Sequence, residues 1–404
     1  MKKTVYLDYA AATPVHPEVI HAMMPFYEEI YGNPSALHSA GRNANKALTE
    51  ARIGVAEILD VSPAEIIFCS SGTESVNLAL QGVLRAAKGR GKHVITTGIE
   101  HHAVLHTLDY LSKEGWETTF VPVNRYGQVS PDSVVEAMRP DTVLVTIMHA
   151  NNEIGTINPI ADITRAVKQN NPKVFVHTDA CQSSGYIPFT IPMLGVDLLT
   201  ANGSKIYGPK GSGILYVKKT VMLHPVEHGG GQEMNRRSGT ENLAAIVGFS
   251  KALKIARTHA EEESARLSHL RDYFIDEIFK NIPKTILNGH PTERLPHNVN
   301  VSFLDIEGEA LLLYLDNAGI YASTGSACTS GSLEPSHVVV GIGLSYEAAH
   351  GSMRFTLGKS TTRDDIDYVM SLLPNMVASL RKISPINLDI NDFLDTQFPV
   401  RYSK

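Results

Sequence analysis

Cysteine is scarce: only Cys69, Cys181 and Cys328 occur in 404 residues. Three scattered thiols cannot build a disulfide framework, so the chain belongs in a reducing compartment, and a special cysteine is reactive rather than structural. Long hydrophobic runs are also lacking. None approaches the roughly 20 residues that a membrane span requires, which argues against a membrane partner. Positive charge is not in excess either. The formal charge is −6 with no basic tail, which disfavours direct nucleic-acid binding. The start, MKKTVYLDYAAATP, carries two lysines but no apolar h-region, and reads as a mature cytoplasmic beginning. No internal repeat or low-complexity stretch is present.

What is there is a composition of 43% hydrophobic and 19% charged residues, in a chain too long for one compact core, so two domains are expected. Between about 60 and 220, short apolar runs alternate with helical periodicity. EIIFCSS (65–71), HVITT (93–97), TVLVTIMH (142–149) and VFVHTDA (174–180) read as buried strands, and DLLTA leads into Lys205. GTESVNLALQGVLRAA, AVLHTLDYLSKEG and ADITRAVKQN read as the helices between them. This rhythm predicts an α/β fold with a mostly parallel sheet. The stretch from about 240 to 280 reads as one long helix linking to a smaller α+β domain. The large domain is placed at 15–250 and the small one at 1–14 with 251–382. The tail, 383–404, has no clear period and reads either as solvated chain or as a docking segment.

In open α/β sheets ligands bind beyond the carboxyl ends of the strands, and there the polar residues fall. Gly72 and Thr73 open a helix whose free N–H groups suit a phosphate, though a plain Ser/Thr cap gives the same pattern. Asp179 leaves an apolar strand and needs a partner; a protonated ring nitrogen would serve, as would a structural salt bridge. His101 can offer a stacking face. His102 and His106, four apart, could ligate zinc, but the glutamate of an HExxH site is missing and no further ligand cluster is evident. A phosphate, a protonated pyridine, a flat face and an aldehyde held by a lysine describe one ligand, pyridoxal phosphate. Of the two lysines in TANGSKIYGPKG (200–211), Lys205 follows an apolar strand and a small turn, and is the expected covalent anchor. Lys210, past Gly208-Pro209, reads as surface charge.

At this point the motifs YGNPSALHSAGR, FCSSGTESVN, IEHHAVL, MHANNEIGTINPI, HTDACQ, SKIYGPKG, HGGGQEMNRRSGTEN, STGSACTSGSLEPSHV and MRFTLG together resemble the cysteine desulfurases of the NifS/IscS type, fold-type I relatives of class V aminotransferases. The resemblance covers about nine tenths of the chain. It implies a seven-stranded, mostly parallel large domain that binds pyridoxal 5'-phosphate. It further implies Lys205 as cofactor anchor, His101 as stacking residue, Asp179 on the pyridine nitrogen and Gln182 on the phenolic oxygen. Asn152 would lie near cofactor and substrate, and Arg354 would clamp the substrate carboxylate. Gly72, Thr73, Asn202 and Ser204 would serve the phosphate, and Thr240 would reach the phosphate of a neighbouring subunit, which implies a homodimer.

Cys328 lies among small residues without apolar period, which read as a mobile loop exposing a reactive thiol; Cys69, in its strand, reads as a small buried hydrophobe. By resemblance, Cys328 takes the sulfur of L-cysteine as a persulfide, leaves L-alanine, and passes the sulfur to a scaffold or other acceptor protein for iron–sulfur clusters or thio-cofactors. No resident metal is implied, with Cys328 at most a transient iron–sulfur ligand. One departure stands out. Where the family usually has Ser-x-His-Lys, this chain has Asn202, Gly203, Ser204 and Lys205, so a cationic phosphate donor is replaced by neutral ones and weaker cofactor retention is expected. The same change keeps open a catalytically weakened paralogue that binds a scaffold; selenocysteine lyase or transaminase activity is the other alternative.

Overall fold

The computed structural model describes residues 3–325, 334–393 and 402–403. Its first strand, β1 (Val5–Tyr6), belongs to a small pair described below. The principal sheet contains β2 (Ile66–Cys69), β3 (His93–Thr97), β4 (Glu117–Val121), β5 (Thr142–Thr146), β6 (Phe175–Asp179), β7 (Leu198–Asn202) and β8 (Gly213–Val217), in the order β2-β8-β7-β6-β5-β3-β4. All neighbours are parallel except those of β8, which runs against both β2 and β7. Two reversals restore the direction, so β2, β3, β4, β5, β6 and β7 present their carboxyl ends on one edge.

Both sheet faces are covered. Ile66 and Phe68 pack on one side with the helices Ser39–Leu59, Ile160–Asn170 and Leu243–Thr258, while Ile67 and Cys69 pack on the other with Gly72–Ala86 and His102–Ser112. That alternation is the period-two signature of a strand between two helical layers. Cys69 is buried as expected. The run from 240 to 280 is not one helix: it ends at Thr258 and restarts at Ala260, with His259 leaving helical geometry at φ −110°, ψ 11°. The first helix packs on the large sheet and the second, Ala260–Asn281, against the smaller one, so a bend there serves two cores where a straight helix would serve one.

The smaller sheet takes β9 (Thr285–Leu287), β10 (Asn298–Phe303), β12 (Ser352–Thr356) and β13 (Tyr402–Ser403), all antiparallel, in the order β12-β10-β9-β13. β11 (Ile320–Tyr321) pairs with β1 in parallel. Phe274 and Ile278 pack on this sheet beside Ile366, Val369 and Leu373 of the helix Arg363–Ile383. The described part of the tail is not free solvated chain. Ile390 is buried with Ile286 and Leu304, and the Leu388 N–H donates to Asp305.

The chain after β1 ties the two sheets together. The Thr356 N–H donates to the Leu7 carbonyl, and the Thr13 and His16 N–H groups donate to the carbonyls of Ser204 and Tyr207. The N-terminal segment is thereby laid across the edge where six strands end. Among the described residues no helix is long and apolar enough to cross a membrane.

Candidate active site

At that edge lies a cleft of about 200 Å³, open to solvent. Nine residues singled out in the sequence line it: Gly72, Thr73, His101, Asn152, Asp179, Gln182, Asn202, Lys205 and Arg354. Lys205 ends a single turn, Gly203–Lys205, directly after β7. A side chain at Gly203 would put Cβ 2.1 Å from the Ser212 hydroxyl, so the turn needs glycine. The Lys205 Nζ donates to the carbonyl of Ala11. Lys210 is exposed, and its Nζ donates to Thr13 O at 2.9 Å.

Asp179 closes β6 and is 8% exposed; its Oδ1 accepts the Cys181 N–H at 2.9 Å. Gln182 donates to the Ala10 carbonyl at 3.0 Å. His101 caps the helix His102–Ser112, its Nδ1 accepting the Ala103 N–H at 3.0 Å. That bond assigns the ring proton to Nε2. Burial lowers the His101 pKa against the opposing pull of Asp179, so the ring is neutral. Beside it, Glu100 is fully buried, and burial pushes its carboxyl up to about 8, with Asp179 adding to the rise. It is therefore a neutral acid at pH 7. Its Oε1 accepts from the Thr97 hydroxyl at 3.1 Å and from the Met148 N–H at 3.0 Å.

Arg354 reaches the cleft from β12. It is 2% exposed, with Nη1 donating to Asn152 O at 3.0 Å and Nη2 to Asp8 Oδ1 at 2.9 Å. Gly72 begins the helix Gly72–Ala86, capped by the Ser71 hydroxyl. A Cβ at Gly72 would lie 2.7 Å from Cys181 Sγ and 3.5 Å from the Asn202 side chain. Burial raises the pKa of the Cys181 thiol well above its ordinary range.

The matching family model is Aminotransferase class-V, over residues 5–369. Cysteine desulfurase IscS of Dictyoglomus turgidum is 50% identical over 385 residues, covering 95% of this chain and 97% of that one. Cysteine desulfurase IscS of Methanosarcina thermophila is 50% identical over 384 residues, covering 95% and 94%. A solved structure titled NifS-like protein superposes with a TM-score of 0.87 at 39% identity, over 94% of this chain and all of that one. The chain belongs to the class-V aminotransferase family, in its cysteine desulfurase branch.

Enzymes of this family depend on pyridoxal phosphate, and the cleft has the donors and the shape for it. A glycine cradle at a helix N-terminus suits a phosphate, and a carboxylate at a strand end suits a pyridinium. A lysine amine lies in the same cleft. Ser204 is not among the lining residues, and Thr240, expected to serve the cleft of a neighbouring subunit, does not line this one. The Ser204 hydroxyl donates to Asn202 Oδ1 at 3.1 Å. Thr240 lines a separate depression with Ser70, Arg237 and Gly211. Cys328 lies outside the described residues.

Sequence reasoning missed Asp8 and the carbonyls of Ala10 and Ala11, which hold three of the cleft's polar side chains. The one available signal was an aspartate interrupting the apolar start VYLDYAAA.

Proposed function

We propose that this desulfurase-family enzyme converts L-cysteine to L-alanine, with the sulfur taken up as a persulfide on Cys328. The observation that carries the reading is the convergence of Lys205, Asp179, His101 and Arg354 on one cleft. Sequence similarity supports it, with named cysteine desulfurases at 50% identity across nearly the whole chain. One neighbouring structure, 34% identical, is titled SspA in complex with cysteine.

In this reading Gly72, Thr73 and Asn202 would hold the cofactor phosphate, Asp179 would keep the pyridine nitrogen protonated, and Gln182 would donate to the phenolic oxygen. When bound, the cofactor supplies an electron sink for charge developing on substrate carbon. Arg354 binds the substrate carboxylate, with Asn152 beside it. Lys205 Nζ anchors the cofactor and then moves the substrate α-proton. His101 stacks on the ring and keeps its donor proton on Nε2. Glu100, being neutral, would add no competing charge beside Asp179. Cys328 attacks the substrate sulfur as thiolate; the C–S bond breaks, carbon gains a proton, and alanine leaves.

The finer reading adds a cytoplasmic homodimer in which Thr240 of each copy serves the phosphate of the other, and a scaffold or acceptor protein that takes the persulfide sulfur. The weakened-paralogue alternative is not favoured, because Lys205, Asp179, His101 and Arg354 are all retained around one cleft. The test is alanine formation from L-cysteine by the cofactor-loaded protein. The reading expects stoichiometric alanine and sulfide in the presence of a thiol reductant, and none from Lys205→Ala. A yellow protein that forms no alanine overturns it.

A further inference from the structure

We propose that Asp8 is a positioning residue: it aims the Arg354 fork at the substrate carboxylate. The inference rests on the reading of Arg354 given above. A guanidinium has five N–H donors in one plane, and its value for a carboxylate depends on the direction of that plane. Here two donors at opposite ends are spent on fixing it, Nη2 on Asp8 Oδ1 at 2.9 Å and Nη1 on Asn152 O at 3.0 Å. Nε is buried without a hydrogen-bond partner among the described residues. Arg354 remains part of the cleft lining, so the second N–H of each terminal nitrogen is what the fork has left to offer a ligand.

Asp8 is well placed to hold the fork because its own backbone cannot drift. It bridges in parallel to Thr356, two residues from Arg354 on the same strand. The Thr356 N–H donates to Leu7 O at 2.7 Å, and the Ala10 N–H to the Thr356 hydroxyl at 2.9 Å. The next turn closes on Asp8 itself, whose carbonyl accepts from the Ala11 N–H at 3.0 Å. The aspartate side chain is 18% exposed against 2% for the arginine. Asp8 thus pairs with a cation that is otherwise enclosed, and supplies the countercharge that such burial requires.

A purely structural ion pair between the N-terminal segment and the small sheet makes a different prediction. Its loss lowers stability, or lowers kcat and substrate affinity together. Loss of aim raises KM while sparing the chemical step. The experiment uses the full-length, cofactor-loaded protein. Asp8→Ala is expected to raise KM for L-cysteine about tenfold or more with kcat within about twofold, as a misdirected fork loses binding shared by ground and transition states. The calorimetric Kd for L-alanine should rise by a similar factor, with the cofactor absorption band unchanged. Asp8→Asn, whose Oδ1 can still accept from Nη2, should return both values to within about threefold of the parent.

Arg354→Ala is the control that separates the two readings. If it leaves KM and the alanine Kd unchanged, Arg354 does not bind carboxylate and the parent reading fails. If it raises both while Asp8→Ala does not, the Asp8 inference alone falls. An Asp8→Asn variant as impaired as Asp8→Ala also overturns it, as does a fall in kcat at constant KM or loss of the cofactor band.

Discussion

Replacing Glu100 by glutamine removes one ionisable proton next to Asp179 and nothing else of its shape. Glu100 is completely buried, its Oε2 has no hydrogen-bond partner among the described residues, and burial raises its carboxyl from 4.5 to about 8. The unfolded chain releases this proton near pH 4.5, whereas the folded protein keeps it until about pH 8. Between those values the folded state binds more protons than the unfolded one, so stability falls as pH rises across this window. At roughly 1.36 kcal/mol per pH unit, the loss accumulated by pH 8 is about 5 kcal/mol, and about 3 kcal/mol by pH 7.

Glutamine cannot ionise, and its Oε1 can still accept from Thr97 and Met148. Glu100→Gln should therefore match the parent near pH 4.5 and exceed it increasingly up to pH 8. Unfolding entropy for a chain of this length is on the order of 0.8 kcal/mol per kelvin, so the midpoint should rise by about 5 °C at pH 8. Thermal unfolding followed by circular dichroism at fixed scan rate, from pH 4.5 to 8.5, reads the difference directly. A difference that does not vary with pH, or a variant less stable at pH 8, shows that Glu100 is ionised in the folded protein and refutes the argument.

The other predictions concern the cleft. Gly72→Ala should weaken cofactor binding by about tenfold or more, because its Cβ would lie 2.7 Å from Cys181 Sγ. Cys181→Ala in the same chain should restore much of the loss, since contacting residues couple non-additively; equal dissociation constants for single and double variants would contradict this. Ser204→His should slow cofactor dissociation by about tenfold, the scale of one charge-assisted hydrogen bond; unchanged or faster loss counts against the phosphate role. Cys328→Ala should keep the cofactor absorption and lose sulfur transfer to a thiol acceptor, and full transfer by that variant removes the assignment.

Five strands of the principal sheet could be read because they are apolar runs ending in polar clusters, and those clusters supplied eight of the nine cleft residues, Arg354 coming from β12. Two strands were not read, for different reasons. β4 is an edge strand with an exposed, partly polar pattern, and β8 follows the Lys205 turn so closely that it looked like its continuation. The break at His259 was invisible because no proline or glycine marks it; two separate cores impose it. The Asp8–Arg354 pair spans 346 positions, and no local pattern encodes a contact at that separation. The local signal at Asn202 and Ser204 marked a departure from the family pattern, but not that the Ser204 hydroxyl would donate to Asn202.

The central claim is that Lys205 carries the cofactor. Borohydride reduction of the yellow protein, followed by proteolysis and peptide mass mapping, reads it in one experiment. The account predicts a phosphopyridoxyl adduct on Lys205 and an unmodified Lys210. Adduct on Lys210, or on neither lysine, contradicts it.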